Sequence, residues 1–214
     1  GFNNIRFSDK LSEKLNIPVF LDRDVNFLLM NDMKKLKIDN TKTVLGFYIG
    51  TGFGNAMCIN GKLYAGKNGA AGELGHIPLY DVDEECTCGN IGCSETRCSG
   101  KRLEYLCEKY FPDVPIREVF KYHGNSPIII KFVKDLAIPI ATEINILDPD
   151  YSIIAGGVAL MEDFPKELLI EAIHEKVRKP YPEENLEIMF SEHDQQSGIF
   201  GSGIYAHEML KNII

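Results

Sequence analysis

Between residues 44 and 64 the chain alternates apolar runs with glycine: Val44 to Ile49, then Gly50-Thr51-Gly52-Phe53-Gly54, then Ala56 to Ile59, then Asn60-Gly61. The two apolar runs are short and rich in β-branched and aromatic residues, which predicts strands. Asn-Gly between apolar runs signals a two-residue hairpin, because both turn positions must adopt positive φ, so Lys62 to Tyr64 is expected to pair back as a third strand. Upstream, a helix is expected after Ser8 with Leu11 and Leu15 on one face, then a strand over Ile17 to Leu21. Polar Asp22-Arg23-Asp24 follows, and then a helix on which Phe27, Met30 and Leu36 recur. That reading puts Asp24 at a strand-to-helix junction.

Downstream the apolar period lengthens to that of helices. Ser99 can cap a helix carrying Leu103, Leu106, Cys107 and Tyr110 at i, i+3, i+4 and i+7. A longer helix is predicted from Pro127 to Leu147, with Phe132, Leu136, Ile140 and Ile144 as its buried stripe and Pro139 as an expected kink. Asp148-Pro149-Asp150 ends it. Tyr151 to Ala155 reads as a buried strand leading into Gly156-Gly157 and a helix through Arg178, stopped by Pro180. Leu186 to Phe190 is the last strand. A final helix, near Gln195 to Leu210, contains Gly198, Gly201 and Gly203, small residues that let another backbone or a ligand come close. Hairpin-linked strands followed by alternating helices and strands predict a mixed-sheet α/β architecture.

With 214 residues and 44% hydrophobic content the chain can bury a substantial core. Its formal charge of −8 and lack of a basic stripe argue against a nucleic-acid partner for this region. No apolar run reaches the roughly 20 residues that span a bilayer, so no membrane partner is expected. The six cysteines crowd into one mid-chain stretch with no secretory leader before them, which points to a reducing, cytoplasmic compartment. The chain starts at Gly1 without Met and reads as beginning inside a longer protein.

The cysteine block changes the picture most. Cys86, Cys88 and Cys93, with His76 upstream, supply four N and S donors in the spacing of a closed tetrahedral zinc site, and Cys86 and Cys88 are too close along the chain to bridge without strain. Glu73 and Glu95 flank these donors without being needed as ligands, so zinc is expected to order a binding pocket around them. Cys58, Cys98 and Cys107 fit simple packing. The Gly50 to Gly54 turn can expose backbone N–H groups to phosphate oxygens, with the Thr51 hydroxyl beside them. Read alone it is more often a tight hairpin, and it lacks the Gly-Lys-Ser/Thr ending of a P-loop. Gly156-Gly157 is a helix entry or a nucleotide contact. Asp24 is either a helix cap or a carboxylate facing a cleft, placed to accept a proton from a hydroxyl nucleophile.

Taken in order, Gly50-Thr51-Gly52-Phe53-Gly54, Asn60-Gly61, Gly72-Glu73-Leu74-Gly75-His76 and Cys86-x-Cys88-Gly89-x-x-Gly92-Cys93-x-Glu95-x-x-x-Ser99 resemble the ROK family of sugar kinases and sugar-responsive repressors. The resemblance runs on through Asp148-Pro149-Asp150 and Ala155-Gly156-Gly157. It implies the actin-like, ribonuclease-H-like ATPase fold, two lobes closing on sugar and ATP with Mg²⁺. By the same resemblance Asp24 is the catalytic base and touches the sugar, and Glu73, His76 and Glu95 hold sugar hydroxyls. His76, Cys86, Cys88 and Cys93 hold structural zinc. Gly50, Thr51, Gly52 and Gly54 match the second phosphate element, and Gly156 and Gly157 the adenosine side. Asp22-Arg23-Asp24-Val25-Asn26 is most similar to the allose-type members, Arg23 standing where the wider family has Asn. The family's Asp-x-Gly-Gly-Thr phosphate motif is absent. Residues 1–22 then read as a remnant of the first lobe, 23–190 as the C-terminal lobe with the zinc site, and 191–214 as the C-terminal helix. The resemblance implies ATP-dependent phosphorylation of an aldohexose, D-allose favoured, at its 6-hydroxyl, little activity from this chain alone, and a homodimer or homotetramer. The alternative within the family is the sugar-sensing domain of a repressor.

Overall fold

A computed structural model describes residues 5–194 and 196–211. Its centre is one five-stranded sheet in the order β3-β2-β1-β4-β5. The strands are β1 (Val44–Ile49), β2 (Phe53–Ile59), β3 (Lys62–Leu63), β4 (Tyr151–Ala155) and β5 (Ile188–Phe190). The first three form the antiparallel meander that the glycine turn and Asn60-Gly61 predict, and both turn residues take positive φ, 50° and 75°. β4 joins β1 in parallel, and β5 joins β4 in parallel.

Every residue of β1 is buried, because helices cover both of its faces. On one face Leu45, Phe47 and Ile49 pack under α3 (Gly100–Tyr110), α5 (Pro127–Leu147) and α6 (Lys166–Lys176). On the other, Val44 and Tyr48 meet Val25, Leu29 and Met33 of α2 (Asp24–Lys35). The stripe of α2 that faces the sheet is therefore Val25, Leu29 and Met33, and of the expected Phe27, Met30 and Leu36, Leu36 packs against the same cluster. Met30 is buried as well, while Phe27 meets Tyr205 of α7 (Ser197–Lys211) in a tilted ring pair at 5.4 Å. Of the three glycines in α7, only Gly201 permits a close approach: a Cβ there would collide with the Phe27 carbonyl, whereas Gly198 and Gly203 face open space. Gln195, where this helix was expected to start, lies outside the described residues.

Three further expectations are refined. The first helix is present as α1 (Phe7–Leu15), but Ile17 to Leu21 forms no strand. Pro18 has no N–H, no described strand lies alongside to receive a ladder, and Ile17 and Leu21 are exposed. After Gly157 the chain makes turns until Lys166 and only then enters α6. α5, preceded by the short α4 (Val119–His123), continues through Pro139 without ending. A proline at that position withdraws the N–H that would bond the Asp135 carbonyl, and the Cys98 thiol donates to that carbonyl instead, at 3.2 Å. Cys98 thus does more than fill space. Ser99 caps α3 as expected, accepting the Arg102 N–H at 3.2 Å. Among the described residues no helix is long and apolar enough to cross a membrane.

Candidate active site and metal centre

The parallel pairing of β1 with β4 brings their C-terminal ends together, and both ends run into glycine. Gly156, at φ 99°, crosses directly over Ile49: a Cβ there would sit 2.6 Å from the Ile49 nitrogen and oxygen. Val158 then donates to the Ile49 carbonyl at 2.9 Å. The Gly50 to Gly54 turn and the Gly156-Gly157 element are therefore neighbours at the C-terminal ends of two central strands, where open α/β sheets place their ligand crevices. Within the turn, Gly50 N–H bonds the Gly52 carbonyl at 3.1 Å and Phe53 N–H bonds Glu95 Oε2 at 2.9 Å. Among the described residues the N–H groups of Thr51 and Gly52 have no partner.

Glu95 Oε2 supports the glycine turn, and a side chain at position 52 would displace that carboxylate. Among the described residues Oε1 has no partner, and Oε2 keeps a second lone pair. The carboxylate faces a cavity of about 450 Å³ whose wall also carries Thr51, Ser99 and Lys101.

Asp24 opens α2 with its carboxylate exposed and its Oδ1 accepting the Val25 N–H at 2.8 Å. Part of the capping role holds, although Arg23 occupies the cap position itself. Asp22 steadies this helix start by accepting the Arg23 N–H at 2.7 Å and the Asn26 side chain at 2.6 Å. A Cβ on Gly54 would lie 2.7 Å from Val25 Cγ1, so the start of α2 rests directly on the glycine turn. Asp24 is joined to the next segment through its neighbour. The Arg23 guanidinium donates to the carbonyls of Ala71 and Gly72, the latter at 3.3 Å, and pairs with Glu73 Oε1 at 3.3 Å.

Glu73 leads into a short turn, Leu74–His76, and its Oε2 lies 3.7 Å from His76 Nε2. The other imidazole nitrogen, Nδ1, is 3.5 Å from Cys86 Sγ, and Cys88 Sγ is 3.6 Å from Cys93 Sγ. The four donor atoms of His76, Cys86, Cys88 and Cys93 all lie within 4.8 Å of one another. Tetrahedral bonds of roughly 2.0–2.3 Å require donor separations of roughly 3.3–3.8 Å, and the two shortest pairs meet that requirement. The residues fit a metal ion. Without one, burial and the neighbouring thiols push Cys93 up to about 12, whereas the Asn90 N–H lowers Cys88, so a cation is what would hold both as thiolates. With Nδ1 turned to the thiols, Nε2 of a neutral imidazole carries the hydrogen and faces Glu73.

Sequence reasoning missed two buried polar groups behind this surface. Asn55, on β2 just past the glycine turn, donates to the Gly46 carbonyl at 3.1 Å and to Glu143 Oε2 of α5 at 2.7 Å. Burial raises the Glu143 carboxyl from an ordinary 4.5 to about 7, with the Asn55 bond opposing the shift. The folded protein then holds a proton there that the unfolded chain releases above about 4.5. Stability contributed by this site should fall as pH rises from about 4.5 towards 7, by roughly 3 kcal/mol. Glu143→Gln should flatten that slope in urea melts at pH 5 and pH 8. An unchanged slope would contradict the raised value. The second group is Asp32, fully buried on α2. It accepts from Tyr48 at 3.0 Å, Ser191 at 2.7 Å and His193 at 2.7 Å, which ties α2 to the segment after β5. An aspartate set between Leu29 and Met33 in the apolar stripe was the available signal. His193 is thus a satisfied, nearly buried histidine.

The mixed sheet with helices on both faces matches solved ROK sugar kinases and has their actin-like ATPase fold. The ROK family profile matches residues 1–209, and the chain belongs to the ROK family. It is 32% identical over 196 residues to an N-acetyl-D-glucosamine kinase of Histophilus somni, covering 77% of this chain and 63% of that protein. It is 29% identical over 184 residues to a glucokinase of Halalkalibacterium halodurans, covering 76% and 56%. Among solved structures it is similar to a ROK hexokinase from Thermus thermophilus, with a TM-score of 0.83 at 24% identity over 99% of this chain and 72% of that one. The chain spans about 60% of the length of the curated relatives it matches.

Proposed function

We propose that this chain is the sugar-binding and base-carrying part of a kinase that transfers the terminal phosphoryl group of ATP to the 6-hydroxyl of an aldohexose. The observation that carries the proposal is a chain of contacts: Arg23, next to Asp24 in sequence, pairs with Glu73, Glu73 Oε2 lies 3.7 Å from His76 Nε2, and Val25 at the start of α2 rests on the glycine turn. Kinase names among the relatives support the same reaction. In this mechanism Asp24 accepts the proton of the hydroxyl and aims its oxygen at the phosphorus. The N–H groups of Thr51 and Gly52 face the transferred phosphoryl oxygens, and the Gly156-Gly157 element borders the adenosine side. Mg²⁺ bound with ATP neutralises phosphate charge. Glu73, His76 Nε2 and Glu95 Oε1 hold the other hydroxyls.

The metal in this reading is zinc, held by His76, Cys86, Cys88 and Cys93. Four protein donors leave no open position on it, so its contribution is order in the loop that carries Glu95. Asp22-Arg23-Asp24-Val25-Asn26 favours D-allose among the aldohexoses. Residues 23–190 act as the C-terminal lobe of an oligomeric, cytoplasmic enzyme, and the 214 residues alone turn over weakly because the Asp-x-Gly-Gly-Thr element is not among them. A sugar-sensing domain would share the pocket but has no use for a base at Asp24.

Coupled ADP release across a panel of aldohexoses tests this, with the native gene product and the 214-residue chain assayed side by side. Sugar-dependent release by the native gene product, with little from the chain alone, is the expected result. Hexose binding without ADP release by the native gene product would favour the sensor, and full turnover by the chain alone would remove the requirement for a further lobe.

A further inference from the structure

We infer that Arg23 is a positioning residue that sets epimer selectivity by orienting Glu73, and that it is not itself a sugar ligand; this rests on the sugar-kinase reading above. Nη1 donates to the Ala71 carbonyl, and Nη2 reaches both the Gly72 carbonyl and Glu73 Oε1, each at 3.3 Å. One hydrogen of Nη2 is thereby bonded to the loop at Gly72, 49 residues away in sequence, and the same nitrogen lies in ion-pair range of Glu73. The side chain is only 23% exposed. Two successive carbonyls can meet one guanidinium only where the backbone bends between them, and Gly72, at φ 80°, supplies the bend. A Cβ at Gly72 would lie 2.8 Å from the Asn55 carbonyl and 3.3 Å from Arg23 Nη1, so the loop is pressed between β2 and the guanidinium.

The consequence falls on Glu73. Arg23 pairs with one carboxylate oxygen and His76 Nε2 lies 3.7 Å from the other, so cationic or polar groups flank the 47% exposed carboxylate on both sides and bias its orientation. Epimers differ in the direction of a single hydroxyl. A carboxylate biased to one orientation favours one epimer and is left unpaired by the other, and that is where polar pockets gain their discrimination. Because Arg23 adjoins Asp24 in sequence, the same contact sets the spacing between the base and the hydroxyl-reading loop. A planar fork is needed to bridge two carbonyls and a carboxylate, which the point charge of lysine does not reproduce.

The test is steady-state kinetics of the native gene product on two aldohexose epimers, using Arg23→Lys, Arg23→Gln, Glu73→Gln and the double variant Arg23→Gln/Glu73→Gln. Arg23→Lys keeps the charge and serves if Arg23→Gln fails to fold. Either Arg23 variant should raise the sugar KM roughly 10- to 100-fold, the range for losing bonds to a charged group, with kcat changing much less. The epimer ratio of kcat/KM should narrow, and in the Glu73→Gln background Arg23→Gln should add little, because the two residues act as one unit. Arg23→Lys matching wild type in sugar KM and epimer ratio would overturn the inference. So would additive losses in the double variant, or a fall in kcat at unchanged sugar KM, which would make Arg23 a partner of Asp24. If the wild-type protein phosphorylates no aldohexose, the sugar-kinase reading fails and this inference fails with it; an active wild type with insensitive Arg23 variants defeats the inference alone.

Discussion

Replacing Asp24 by asparagine is expected to slow phosphoryl transfer by the native gene product roughly 10²- to 10⁴-fold while moving the sugar dissociation constant only a few-fold, the range for removing a positioned general base. The separation of rate from binding follows from the local structure. The substitution keeps shape and hydrogen-bonding capacity, so an amide oxygen can still accept the Val25 N–H that Oδ1 accepts at 2.8 Å, and the start of α2 is preserved. What is lost is the charge that takes the proton. Single-turnover kinetics and calorimetric sugar titration measure the two quantities separately. Asp24→Asn turning over near the wild-type rate would reassign Asp24 to the capping role alone.

Removing the metal is the second large effect. The segment from Ile77 to Cys93 is held by two isolated bridges, Pro78 with Cys93 and Glu85 with Ile91, and by an ion pair from Arg97 to Glu84 at 2.7 Å. It contributes no strand of the sheet and little to the main apolar core. Structural zinc in small domains contributes on the order of 10 kcal/mol, more than those contacts can replace. Chelation should therefore loosen this segment, expose it to protease between residues 80 and 92, and release His76 and the Glu95 loop. Hexose affinity should fall at least about tenfold, the scale seen when groups that orient a metal site are lost. Cys93→Ser should do the same without chelator. Elemental analysis, limited proteolysis and sugar titration on metal-loaded and stripped protein check each step; hexose affinity within twofold after complete stripping would separate the metal from the pocket.

Local signals carried much of this architecture. Asn60-Gly61 predicted its hairpin because only residues that tolerate positive φ make that turn, and Ser99 predicted a helix start because its hydroxyl meets an unbonded N–H three residues on. The thiol and imidazole spacing was legible because metal geometry confines donors that are close in sequence. Ile17 to Leu21 misled because apolar residues reveal a wish to be covered but not what covers them. The roles of Arg23, Asn55 and Asp32 could not be read from the chain, because each is fixed by partners 48, 88 and 159 residues away. Glu95 lay between these cases. Its place beside the cysteines was visible, but its bond to Phe53 N–H appears only when the glycine turn folds against it.

In the proposed function Asp24, Glu73, His76 and the glycine turn form one hexose phosphotransfer site. Phosphorus NMR of the native gene product incubated with ATP, Mg²⁺ and D-allose tests this most directly, with D-glucose and N-acetyl-D-glucosamine in parallel. The prediction is a sugar phosphate ester at position 6, formed by wild type and absent on the same timescale with Asp24→Asn. ATP left intact with all three sugars, or an ester formed equally by Asp24→Asn, would contradict it.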